Sequence, residues 1–229
     1  MREWEGFRDR RHAGALLARD LRSFAPKGEV IVLGLTRGGI PVAAEVAAAL
    51  GAPLDAIVVR KVGAPEHEEL AIGALAPEGI MVRNSAIISS LGVTEHTLEA
   101  AAKRERAELL RRERLYRDGR PYPELSGRTV IIVDDGLATG ATMRAAITWV
   151  ERRRPARIVV AAPVASAETC RQIEDRGSGI RCVCHLTPDD FYAIGQWYGD
   201  FSPVSDAEVI HLLTPESRPS VEVAPPPAA

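Results

Sequence analysis

The sequence predicts an α/β fold: a mostly parallel sheet with helices on both faces. Residues 30–33 and 130–133 are unbroken runs of Val, Ile and Leu, the composition of strands buried on both sides. Further strand-like stretches at 55–59, 157–162 and 180–185 alternate with helical stretches at 41–50, 141–153 and 167–176, the pattern of right-handed βαβ units. Glycine or proline follows several strands, at Gly34, Gly136 and Pro163. Loops at the carboxyl ends of such strands build the ligand crevice.

The length, 229 residues, fits one domain with a tail and is enough to bury a sizeable core. A net charge of −2 implies no bulk attraction to nucleic acid or membrane. No apolar run reaches about 18 residues, so no transmembrane helix is expected. The charged N-terminus lacks the apolar centre of a signal peptide. Three cysteines without a framework point to a reducing compartment, and the expected location is cytoplasmic. Lysine is scarce (Lys27, Lys61 and Lys103) and arginine abundant. That bias reads as genome composition, so arginine-rich segments are discounted as functional signals.

In chain order, residues 1–28 read as a charged start and a first helix. Leu16, Leu17 and Leu21 form its apolar stripe, with Phe7, Arg8 and Arg11 ahead of it. The helix either covers one sheet face or joins a hood over a site. After strand 30–33, the loop Gly34-Leu35-Thr36-Arg37-Gly38-Gly39 leads to Pro41, a first-turn proline, and an alanine-rich helix. That helix N-terminus would be aimed at the strand ends, where an anion is favoured. Strand 55–59 runs into Arg60-Lys61, two cations facing the same crevice. Residues 68–76 and 79–83 read as a short β excursion with an acidic cluster at Glu66, Glu68 and Glu69. Thr94 caps a long helix over 95–116. Leu98, Ala102, Leu109 and Tyr116 give it a thin apolar stripe among charges paired at i,i+4. Its acids nearly offset its bases and aromatics are sparse, which argues against nucleic-acid binding.

The stretch from Val130 to Thr142 carries the chemistry. A buried strand ends in two carboxylates, Asp134 and Asp135. The loop Gly136-Leu137-Ala138-Thr139-Gly140-Ala141-Thr142 then enters a helix. Small residues let backbone N–H groups approach a phosphate at a helix N-terminus. Ionised carboxylates accept hydroxyl protons, as a sugar diol would require. Phosphate and diol side by side describe a phosphorylated ribose.

All thirteen positions resemble the motif with which type I phosphoribosyltransferases bind 5-phosphoribosyl 1-pyrophosphate (PRPP). Thr36-Arg37-Gly38-Gly39 resembles the pyrophosphate loop of the same family, about 100 residues earlier and in the family's order. Arg60-Lys61, followed by Gly63, Pro65 and His67, looks like the Arg-Lys segment of the adenine and orotate enzymes. The resemblance implies a Rossmann-like parallel-sheet core as a single domain over residues 1–213. It also implies a flap insertion at about 62–127 and a small hood at about 186–213, with cis or strained backbone at the pyrophosphate loop.

It implies a Mg²⁺-dependent pentosyltransferase that moves the phosphoribosyl group of PRPP to a nitrogen base, a purine-like nucleobase, with release of pyrophosphate. Asp134 and Asp135 would hold the ribose hydroxyls, directly or through magnesium. Gly136 to Thr142 would bind the 5′-phosphate. Thr36, Arg37, Gly38 and Gly39 would bind pyrophosphate, with Arg60 and Lys61 offsetting its charge. Relatives are often dimers, so a homodimer is expected on the same ground. Ala138 departs from the 6-oxopurine enzymes, which carry an aspartate there; alanine does no proton chemistry, and the acceptor stays open. The alternative is a PRPP- or nucleotide-sensing regulatory protein on the same fold.

Residues 187–213 gather Phe191, Tyr192, Trp197, Tyr198 and Phe201 with Asp189, Asp190 and Asp200. Two readings stand: a mini-core where the C-terminus packs down, or a stacking wall for a planar base, with Phe191 and Tyr192 as the base-binding pair. The segment resembles, loosely, the base-binding end of hypoxanthine-guanine enzymes. Cys182-Val183-Cys184-His185 matches no common zinc spacing, and no second ligand pair follows it, so Cys182 and Cys184 read as buried strand cysteines. Residues 214–229, with Pro215, Pro219 and Pro225 to Pro227, read as a disordered tail.

Overall fold

The structure, a computed structural model, describes residues 6–25, 29–65, 67–177 and 179–214. The predicted tail beyond Thr214, and Glu66 of the acidic cluster, lie outside them. In chain order the elements are α1 (Arg10–Leu21), β1 (Val30–Leu35), α2 (Gly39–Leu50), β2 (Leu54–Ile57), β3 (Arg60–Ala64), β4 (His67–Leu75), β5 (Met81–Arg83), α3 (Ser85–Ser90) and α4 (Glu95–Arg117). There follow β6 (Thr129–Val133), α5 (Ala141–Glu151), β7 (Arg157–Val164), α6 (Ala167–Glu174), β8 (Ile180–Leu186) and α7 (Asp206–Leu213).

β1, β2, β6, β7 and β8 form a parallel sheet in the order β2-β1-β6-β7-β8. Neighbouring side chains along a strand point to opposite faces. Ile131 and Val133 therefore join the core shared with α1, α2, α4 and α7, while Val130 and Ile132 join the core under α5 and α6. All four are fully buried, which explains why the run shows no polar alternation. Gly14 lets α1 lie on α2: a Cβ there would come within 2.7 Å of the Val42 carbonyl oxygen. The α4 stripe Leu98, Ala102, Leu109 and Tyr116 is buried as its spacing predicts. Among the described residues no helix is long and apolar enough to cross a membrane.

Several boundaries differ from the sequence reading: Gly34 and Leu35, expected in a loop, end β1, and Pro163 lies inside β7. The strand expected over 55–59 ends at Ile57, whose carbonyl accepts from the Thr36 N–H at 3.2 Å. Val58 and Val59 leave the parallel sheet, and Arg60-Lys61 begin β3 of a separate antiparallel sheet, β3-β4-β5. The apolar run is continuous across the corner because both sheets bury it: Val58 in one core, Val59 in the other. Composition therefore gave no break at the corner.

Candidate functional site

β1 and β6 are hydrogen-bonded neighbours, with Gly34 opposite Val133. Their two carboxyl-end loops therefore rise side by side. The Thr36–Arg37 peptide bond is cis. Gly38 and Gly39 are pressed against the acid pair. A Cβ on Gly39 would sit 2.6 Å from the Val133 carbonyl oxygen, and one on Gly38 would overlap the Asp135 carboxylate. The two glycines are thus what lets the first loop lie directly over Asp134 and Asp135. The Thr36 hydroxyl is buried without a hydrogen-bond partner among the described residues.

The second loop is pinned from below. Leu137 is buried, donates its N–H to Val164 O at 2.9 Å and accepts from Ser166 N–H at 3.3 Å. Thr169 Oγ1 on α6 donates to the Ala138 carbonyl at 2.6 Å. Ala138 and Thr139 are left exposed above that anchor, and Gly140, at φ +66°, turns the chain into α5. The backbone of Gly136 to Thr142 is therefore held at a helix N-terminus, where an anion is favoured. Arg144, half-buried one turn into α5, adds a cation; burial and then the charge of Arg176 lower its pKa. Sequence reasoning had discounted it with the other arginines.

The acid pair is crowded. Asp135 N–H donates to Asp134 Oδ1 at 2.9 Å. Arg10 Nε, from α1, lies 2.8 Å from Asp135 Oδ2. The Tyr198 hydroxyl donates to the Asp135 carbonyl at 2.6 Å. Burial raises both carboxyl pKa values. The charge of Asp135 raises Asp134 further, and Arg10 works against the rise at both. Desolvation disfavours the charged form of the pair, and hydroxyl donors or a cation brought to it would favour ionisation.

Arg10 and Tyr198 belong to one aromatic cap. Arg10 lies 4.0 Å from the Phe201 ring centre and donates to Ser202 O at 2.8 Å. Phe7, Tyr198 and Val164 pack together, with Phe191, Ile194 and Trp197 against them. Ile194 closes on the acid loop so tightly that a Cβ on Gly136 would meet its Cγ2 at 2.5 Å. The cap is thus a mini-core that presents Arg10 and Tyr198 downward. Phe191 is half-buried in it, while Tyr192 is 88% exposed.

The remaining predicted residues meet other elements of the fold. Arg37 Nη1 is 3.6 Å from Asp206 Oδ1 at the start of α7, which also accepts from the Tyr116 hydroxyl at 2.5 Å. Arg60 is committed to Glu105 of α4, 2.8 Å from Nε. Lys61, half-buried, stands opposite Ala74 in the antiparallel sheet. Sequence reasoning missed Arg10 and Asp206. Neither has a local pattern, since each meets the site only through the fold.

A parallel α/β protein with a glycine-lined loop at a helix N-terminus and a paired acid at its carboxyl edge is the class that fold and site define. The phosphoribosyl transferase domain family matches residues 8–199, and the chain belongs to it. Two Mycobacterium tuberculosis proteins, "Putative phosphoribosyl transferase MT0597" and "Putative phosphoribosyl transferase Rv0571c", are each 40% identical over 216 residues, 94% of this chain and 48% of theirs. The chain thus spans about half the length of those curated relatives. The crystal structure of TT1426 from Thermus thermophilus superposes with a TM-score of 0.73 at 44% identity, covering 91% of this chain and 97% of that one.

Proposed function

We propose that this chain transfers the 5-phosphoribosyl group of PRPP to a nitrogen base and releases pyrophosphate. The observation that carries the reading is the contact of Gly38 and Gly39 with the acid pair. On this reading the arginine-bearing loop takes one anion, the carboxylates beside it take a diol, and the helix N-terminus of Gly136 to Thr142 takes a second anion. PRPP has those three parts in that order.

In this mechanism the loop amides and the Thr139 and Thr142 hydroxyls hold the 5′-phosphate. Asp134 and Asp135 accept hydrogen bonds from the ribose hydroxyls. Thr36, whose buried hydroxyl lacks a partner among the described residues, and Arg37 take pyrophosphate oxygens. The base nitrogen attacks the anomeric carbon as the bond to pyrophosphate oxygen breaks, the electron pair leaves with that oxygen, and the proton on the attacking nitrogen is given up to solvent. Charge builds on the leaving group, where Arg37 and Lys61 act. Catalysis is mainly positioning and electrostatics. Asp134 and Asp135 offer the hard oxygen donors that Mg²⁺ takes, and when bound with PRPP it would offset pyrophosphate charge. Alanine at position 138 leaves base activation to a group outside that loop.

Calorimetric titration of Mg²⁺-PRPP into the wild type and into Asp134→Asn/Asp135→Asn tests the site. Binding by the wild type that the double variant loses supports the reading. No binding by the folded wild type sinks it. Pyrophosphate release across a panel of nucleobases then separates transfer from sensing, since a PRPP sensor would bind and not turn over.

A further inference from the structure

Cys182 and Cys184 are two apart on β8, so their side chains share a face. α6 packs on that face and brings Cys170, from earlier in the chain, down onto them. The Cys170 and Cys184 sulfurs are 3.1 Å apart, and those of Cys182 and Cys184 are 3.8 Å apart. All three lie within 4.8 Å of one another, half-buried, and all are free thiols. The second ligand source that the sequence lacked after Cys184 thus comes from a helix before it. Among the described residues this is the one group that gathers three such ligand atoms.

The spacing suits a soft ion. With metal–sulfur bonds of about 2.3 Å, three sulfurs around one centre stand about 3.8 to 4 Å apart. The Cys182–Cys184 pair is already there. Cys170 needs to move by less than about 1 Å. A disulfide would use Cys170 and Cys184 and leave Cys182 idle, whereas a metal uses the whole triangle. Three sulfur donors select thiophilic d¹⁰ cations over Mg²⁺ or Ca²⁺. Glu174, one turn after Cys170, accepts the Cys182 N–H at 3.0 Å and so fixes the strand against the helix beside the sulfurs.

We propose that Cys170, Cys182 and Cys184 form a three-thiolate site for Zn²⁺ or Cu⁺ that clamps α6 to the edge strand β8. Binding replaces each S–H bond with an S–metal bond and gives the proton to solvent, so affinity falls in acid. The clamp lies one residue from Thr169, which holds the Ala138 carbonyl of the anion loop.

The test uses the full chain, reduced and freed of metal by a chelator. Zn²⁺ is titrated against a chromophoric competitor, and Cu⁺ against a Cu⁺-specific chelator without oxygen. Co²⁺ serves as the spectroscopic probe. One ion per chain, a near-ultraviolet sulfur-to-Co²⁺ band and a raised melting temperature are expected, with whichever of Zn²⁺ and Cu⁺ competes better naming the ion. Cys170→Ser and Cys182→Ser should each weaken binding by about 100-fold or more. Should a serine variant fail to fold, Cys170→Ala replaces it, and alkylation of the wild type decides the same question: the bound ion should protect all three thiols. Wild-type affinity no tighter than that of Cys170→Ser overturns the proposal. So does formation of a Cys170–Cys184 disulfide with oxidised glutathione in a chain that binds neither ion.

Discussion

Arg10 Nε lies 2.8 Å from Asp135 Oδ2, an ion pair across 125 residues that ties the first helix to the acid pair. Both side chains are nearly buried, at 11% and 12% exposure. Removing one partner of such a pair strands the other charge away from water. Arg10→Met should therefore destabilise the fold by about 2–4 kcal/mol, and adding Asp135→Asn should recover part of the loss. Denaturant unfolding of both singles and the double measures the coupling. Additive losses would mean that the contact is incidental.

Gly38 is where the two loops touch. A methyl group there would overlap the Asp135 carboxylate, which Arg10 holds from the other side. The carboxylate or the loop has to move. Gly38→Ala should weaken Mg²⁺-PRPP binding by at least about tenfold and cost about 1–3 kcal/mol of stability. Calorimetry and thermal unfolding read the two effects. Unchanged affinity would remove Gly38 from the site.

These residues show what was legible beforehand. β1 and β6 could be read because strands buried on both faces are compositionally plain. Asp134 to Thr142 could be read as one acid-loop-helix unit because the loop and its helix are contiguous in sequence. The glycines at 38 and 39 showed where the first loop lay, but not that they face the acids. Arg10 and Asp206 reach the site from distant segments near the two ends of the chain, through packing that no local pattern encodes, while Tyr198 stood out only as one member of an aromatic cluster. Arg10 also sits in a sequence where arginine is common, so its identity carried little information. The β2–β3 corner was hidden because both sheets bury Val58 and Val59.

Asp206 competes for Arg37. It is half-exposed, 3.6 Å from Arg37, and it also meets Arg111 and the Tyr116 hydroxyl. The Tyr116 hydrogen bond, then Arg111 and Arg37, lower its pKa. A carboxyl lowered in the folded chain contributes stability above its unfolded value, and that stability is lost as pH falls through the folded one. Asp206→Asn should therefore cost no more than about 1 kcal/mol at neutral pH and less in acid, as befits a solvent-screened cluster. It should also tighten pyrophosphate binding by a few-fold, about 1 kcal/mol or less, by releasing Arg37. Weaker pyrophosphate binding would show that Asp206 orients Arg37 instead.

The acid pair makes the opposite pH prediction. Burial, then Asp135, raise the Asp134 pKa above its ordinary value. The folded chain therefore binds that proton more tightly than the unfolded chain does. Stability from this group is present in acid and is lost as pH rises from the unfolded value, about 3.9, through the raised one. Asn keeps an oxygen to accept the Asp135 N–H and carries no ionisable proton. Asp134→Asn should match the wild type near pH 4 and become the more stable chain toward neutral pH. The gain should be read as a higher melting temperature that grows from pH 4 toward neutral pH. The same variant should lose affinity for Mg²⁺-PRPP, the pattern expected where a site holds charge ready for its ligand at the expense of the empty fold. Melting curves from pH 4 to 8 decide it: a gap between the two chains that stays constant with pH would mean that Asp134 is not a desolvated acid.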